Sequence, residues 1–113
     1  VESGGLGFTI SLYRDPDVDI TDSDAYSEAD IAAWKRDEWT FVTVEVRSDV
    51  GGIYDDLGAC AFGTGDGWTV SMDRMVTEYP VPDMLSAVKR KMRRDLPAMR
   101  AEIDAAIAAT KSA

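Results

Sequence analysis

Hydrophobic and polar positions alternate from Phe8 to Arg14, with Phe8, Ile10 and Leu12 on one side, which predicts a half-buried strand. Gly4, Gly5 and Gly7 ahead of it predict a loose or bulged entry, and Asp15-Pro16 ends it, because proline cannot donate to a ladder. Residues 15–26 carry no periodicity and are expected to form an acidic loop. Ser27, with Glu28 and Asp30 behind it, has the chemistry of a helix N-cap and an acidic first turn, which predicts a short helix over 28–37 with Ile31 and Trp34 on its apolar side. From Trp39 to Arg47 the period returns to two. Phe41 and Thr43 lie on one side and Val42, Val44 and Val46 on the other, and β-branched residues dominate.

Asp49-Val-Gly-Gly52 is a turn signal, and Leu57 to Phe62 predicts a third strand. The stretch Gly63-Thr-Gly-Asp66-Gly67 predicts a hairpin connection, since Asp-Gly readily adopts the positive φ of tight turns, and Trp68 to Met72 would return as a fourth strand. Beyond Pro80 and Pro82, the residues Leu85, Val88, Met92, Leu96, Met99, Ile103 and Ile107 recur at spacings of three and four. They mark one face of a helix held over 83–111, about seven turns. Pro97 lies inside this run and predicts a kink near Asp95–Leu96. The expected order is therefore β-α-β-β-β-α. This is an α+β fold, with an antiparallel sheet of three to four strands and a long, Pro-kinked C-terminal helix packed on one face. Neither a repeat nor a linker divides the chain, so residues 1–113 are expected to form a single domain.

Composition narrows the chemistry more than it names it. There is no histidine, asparagine or glutamine and one cysteine, which excludes Ser-His and Cys-His catalysis, His-ligated or thiolate zinc, and an internal disulfide. No apolar run approaches the ~18–20 residues of a membrane span. Val1 to Gly5 has neither the basic nor the apolar region of a signal peptide, so a cytoplasmic location is expected.

Charge is unevenly divided. Residues 1–83 carry 18 acidic and 5 basic side chains, whereas residues 84–113 carry 3 acidic and 7 basic. The acidic excess is densest at Asp15, Asp17, Asp19, Asp22, Asp24 and Glu28, and the basic excess at Lys89, Arg90, Lys91, Arg93 and Arg94. A net charge of −9 repels nucleic acid, so direct nucleic-acid binding is not expected. The acidic segment instead suits a protein partner with a basic surface, or mimicry of nucleic acid on a partner's phosphate site. The basic cluster is a candidate for anion contact, or for self-association against the acidic loop of another copy.

A calcium loop counted from Asp17 places Asp19 at position 3 and Glu28 at position 12, but Asp22 stands where the turn needs glycine and a strand precedes it where a helix is required. A cation-binding module or metal-dependent enzyme built on these carboxylates is the alternative reading. Cys60, on an apolar strand, is expected to be a small hydrophobe, and Trp34, Trp39 and Trp68 are expected in the core. Gly63 to Gly67 lacks the lysine of a phosphate loop. No catalytic residue, metal ligand or cofactor site is nominated, and the expected role is a non-enzymatic interaction or regulatory protein.

The segment Asp30-Ile-Ala-Ala-Trp34-Lys-Arg-Asp-Glu38-Trp39-Thr-Phe41-Val-Thr-Val44-Glu-Val46, followed by the glycine-alanine strand at 58–63 and a terminal helix, resembles a group of small proteins from actinobacteria and their phages. That resemblance, centred on residues 30–46, implies a phage-encoded or host accessory protein. It carries no activity and no functional residues.

Overall fold

A computed structural model describes residues 1–15, 18–65 and 67–111. The elements run β1 (Glu2–Ser3), β2 (Leu6–Arg14), α1 (Glu28–Lys35), β3 (Thr40–Ser48), β4 (Tyr54–Phe62), α2 (Met72–Thr77) and α3 (Val81–Lys111). The strands form one antiparallel sheet in sequence order, with β3 between β2 and β4. β2 and β3 pair in unbroken register from Phe8↔Ser48 to Arg14↔Val42. α3 lies across one face of this sheet, so the α+β architecture expected from the pattern is the one observed.

The period of two in β3 sorts its side chains between two cores. Val42, Val44 and Val46 face α3 and pack with Phe8, Met75, Val81, Met84, Val88 and Met92. Phe41 points to the opposite side, into a second cluster with Ile20 and Trp39. The N-cap of α1 is as the sequence predicts, with Ser27 Oγ accepting from the Asp30 amide at 3.1 Å. The helix stops two residues early, because Asp37 takes a positive φ of 59°.

Three expectations are corrected. The N-terminal glycines close a hairpin, with Gly4 and Gly5 at positive φ turning β1 back onto Leu6 and Gly7. The expected fourth strand over 68–72 is absent as a strand. Only Val70 bridges to Phe62, in parallel, while Ser71 caps α2 by accepting from the Arg74 amide. One buried residue, Met75, anchors that helix, too few to print a helical period on the sequence. Asp66 of the expected Asp-Gly turn lies outside the described residues.

The third correction concerns the far end of α3, where the apolar stripe placed Ile103 in the core. The helix is continuous through Pro97, as the unbroken apolar register predicts. Its buried residues are Val81, Met84, Val88 and Met92, whereas Ile103 is 58% and Ile107 49% exposed. Their stripe continues past the end of the sheet, so Ile103 is not a core residue. The radius of gyration is 19.2 Å, against the ~13 Å of a compact chain of this length.

Candidate functional site: an acidic loop on an aromatic cluster

The acidic segment is folded onto the protein by its own apolar residues. Ile20 is buried with Trp39 and Phe41, and Val18, Tyr26, Ile31 and Trp34 pack around them. Burying Ile20 contributes about 1.5–3 kcal/mol relative to exposing it, which offsets the ordering entropy of one or two loop residues and pins the loop at that point. The loop is further shaped by Asp19, whose Oδ1 accepts from the Thr21 amide at 2.9 Å and the Thr21 hydroxyl at 2.6 Å. Those two hydrogen bonds hold the Asp19 carboxyl below its ordinary pKa.

With the loop anchored from beneath, its carboxylates turn outward. Asp19, Asp22, Asp24 and Glu28 are exposed. Asp15 behaves differently: its Oδ1 accepts from the Thr43 hydroxyl at 2.7 Å and its Oδ2 from the Ala59 amide at 3.2 Å, so it ties β3 to β4. Asp17 lies outside the described residues. The sequence thus groups residues that the fold separates into a structural clamp and an outward-facing acidic rim.

Tyr26 of the same loop joins an aromatic cluster with Trp39, Phe41 and Trp68, whose tryptophans the sequence pattern places in the core. Trp39 is buried and donates Nε1–H to the Asp30 carbonyl at 2.9 Å. It meets Trp68 edge-on at a centroid distance of 4.5 Å and Phe41 edge-on at 5.2 Å, and Tyr26 closes on Trp68 at 5.5 Å. Trp68 itself is 44% exposed, because the strand expected to bury it does not form. Asp30, Glu38, Trp39, Trp68 and Thr69 line an open cavity of about 450 Å³ next to it. Glu38 is paired with Arg36 at 3.0 Å, and this partner holds its carboxyl below the ordinary value. Exposed tryptophan beside carboxylates offers stacking and charge to a cationic side chain. The sequence signal available for this site was the proximity of Glu38-Trp39 and Gly67-Trp68 to turns, which pattern reading assigned to strands.

The basic cluster does not act as one patch. Successive residues on a helix point about 100° apart, and the five side chains spread around α3 accordingly. Lys89 Nζ donates to Ser3 Oγ at 2.6 Å on one flank, while Lys91 Nζ donates to the Tyr54 carbonyl at 2.9 Å and pairs with Asp55 at 3.2 Å on another. Arg94 pairs with Asp95 at 2.7 Å, and Arg90 and Arg93 are exposed. Two of the five therefore stitch α3 to the sheet.

Cys60 sits half-buried on β4, and burial first, then the charge of Asp15, pushes its thiol pKa up, away from nucleophilic use. Among the described residues no group of three or more Cys, Asp or Glu side chains is placed to hold a metal ion. Among them, too, no helix is long and apolar enough to cross a membrane. Comparison with protein-family models, curated proteins and solved structures gives no match to this chain.

Proposed function

We propose that the chain is a non-enzymatic interaction protein whose acidic rim docks on a basic surface of a partner protein, in the cytoplasm of a bacterial host if it is phage-encoded. The observation that carries this reading is the anchoring of the rim. Ile20 and Asp19 fix a loop whose Asp19, Asp22, Asp24 and Glu28 are exposed, and Tyr26 of the same loop packs against the half-exposed Trp68. A charged surface ordered before binding loses little entropy on association, and like-signed carboxylates steer an oppositely charged partner at long range. Trp68 supplies the amphipathic contact that typically carries interface affinity.

The test is capture from bacterial lysate with two baits, the wild-type chain and a variant with Asp22, Asp24 and Glu28 changed to Ser and Asp19 left in place to keep its turn. A partner retained by the wild type at low salt, released at high salt and lost from the variant supports docking. Equal capture by both baits at both salts sinks it. Nucleic-acid mimicry would show in the same experiment as a captured nucleic-acid-binding protein that DNA displaces.

A further inference from the structure

α3 is 31 residues long, about 46 Å, and only its first half has a sheet beneath it. From Arg100 to Lys111 every residue is exposed, yet the apolar stripe does not end with the sheet. Leu96 still packs partly against the core, and Met99, Ile103 and Ile107 prolong the spacing of Val88 and Met92 beyond it into solvent. A helical segment of that length is marginal in water by itself, and exposed isoleucines add nothing to the fold of a lone copy.

We propose that residues 96–111 form a dimerisation arm that packs antiparallel on the same segment of a second copy of this chain. The orientation follows from the continuity of the stripe. The face that would pair is the face that lies on the sheet lower down. In a parallel pair each sheet would therefore occupy the space of the other copy's helix. An antiparallel pair puts each sheet beyond the tip of the other arm. With Ile103 opposite its counterpart, Met99 meets Ile107 of the second copy and Leu96 meets Thr110.

The landing place for each tip is visible at the shoulder where α3 leaves the sheet. Val50 and Gly51 of the β3–β4 turn, with Leu96, Met99 and Ile103, line an open cavity of about 490 Å³, and Val50 is 62% exposed there. Gly51 lies so close to the helix that an added Cβ would stand 2.9 Å from Leu96 Cδ2, so turn and helix make one continuous ledge.

Charge favours a second copy over a basic protein as the occupant. Residues 96–111 hold Arg100 and Lys111 against Glu102 and Asp104, so the arm is neutral within a chain of net −9. Arg100 and Asp104 share one flank, where they approach only to 3.9 Å within the helix. Antiparallel pairing brings each against the opposite charge of the second copy. Two arms of ~24 Å and two ledges reach the lower end of the roughly 1,200–2,000 Å² of specific interfaces, which fits a reversible micromolar dimer.

Sedimentation velocity on the full chain across micromolar to millimolar concentration tests this. The mass should double with concentration, and the dimer should tighten as salt rises, because salt screens the mutual repulsion of the two acidic bodies. A monomer throughout overturns the proposal. Ile103→Asp with Ile107→Asp should abolish dimerisation while the melting temperature of the diluted, monomeric protein stays unchanged. A variant that still dimerises overturns it. Orientation is read by oxidising Met99→Cys mixed with Ile107→Cys, both in a Cys60→Ser background. Disulfides between the two different variants should exceed those within either one, and the reverse would overturn the antiparallel arrangement.

Discussion

The carboxylate of Asp15 accepts a hydrogen bond from the amide of Ala59, 44 residues away, at 3.2 Å. Ala59 takes a positive φ of 54° where the β3–β4 register shifts between Val42 and Val44. Two residues of β4, Gly58 and Ala59, stand against the single Thr43 of β3, and the bulge leaves an amide that the ladder does not use. The Asp15 oxygen takes it, while the Thr43 hydroxyl holds the other oxygen.

Asp15→Ala should therefore destabilise the protein by about 1–2 kcal/mol, the loss of charge-assisted hydrogen bonds at a partly exposed site. Asp22→Ala and Asp24→Ala, exposed on the rim, should stay within ~0.5 kcal/mol of wild type. Ala59→Gly should be neutral or stabilising by up to ~1 kcal/mol, since glycine accepts the left-handed backbone without a Cβ clash. Chemical denaturation of the four variants measures all of these. Equal losses for Asp15 and Asp22 would remove the clamp from the account.

Val44 and Ile103 carry similar side chains in opposite situations. Val44→Asp places a carboxylate where exposure is 0% and should cost several kcal/mol, on the order of the whole stability. Ile103→Asp, at 58% exposure, should leave the melting temperature of the dilute protein unchanged. Thermal melts followed by circular dichroism separate the two. A large loss for Ile103→Asp would return that residue to the core.

Pro97 has no N–H to give to the Arg93 carbonyl, although α3 continues past it. Pro97→Ala should restore that bond and raise the helical signal at 222 nm, most of the gain being local to residues beyond 97. A reduced signal would mean that Pro97 starts a helix rather than interrupting one.

Cys60 has a raised pKa from burial and then from Asp15, so the folded protein keeps its proton where the unfolded chain loses it. Above the ordinary thiol value of about 8.5 the native state binds more protons than the unfolded one, and stability falls as pH rises. Cys60→Ser should flatten the alkaline side of the stability–pH curve, and alkylation of native Cys60 near neutral pH should be slow. On the acid side the sign reverses. Asp19, Glu38 and Asp95 are held low by Thr21, Arg36 and Arg94 respectively. Their contribution is present above the ordinary carboxylate range and fades as pH falls below about 4 through their depressed values. Because Asp19 and Glu38 are exposed and Asp95 is only partly covered, salt should weaken this acid limb.

Features that depend on local period and local chemistry are legible along the chain. The alternation in β3 set which valines face the helix, Ser27 set the start of α1, and the spacing of Val88, Met92 and Leu96 set the buried face of α3. What lies beneath a periodic face is a different matter, because period reports that a surface is apolar and not what covers it. That the stripe outruns the sheet at Ile103, that Trp68 stands half open, and that Lys89 and Lys91 hold the helix down on different flanks all follow from how the elements pack. The acidic run shows the same division. Its charge is legible residue by residue. The choice of Asp15 as a clamp and of Asp22, Asp24 and Glu28 as a rim rests on a bulge at Ala59 and a buried Ile20, which become neighbours of that run only through the pairing of distant strands.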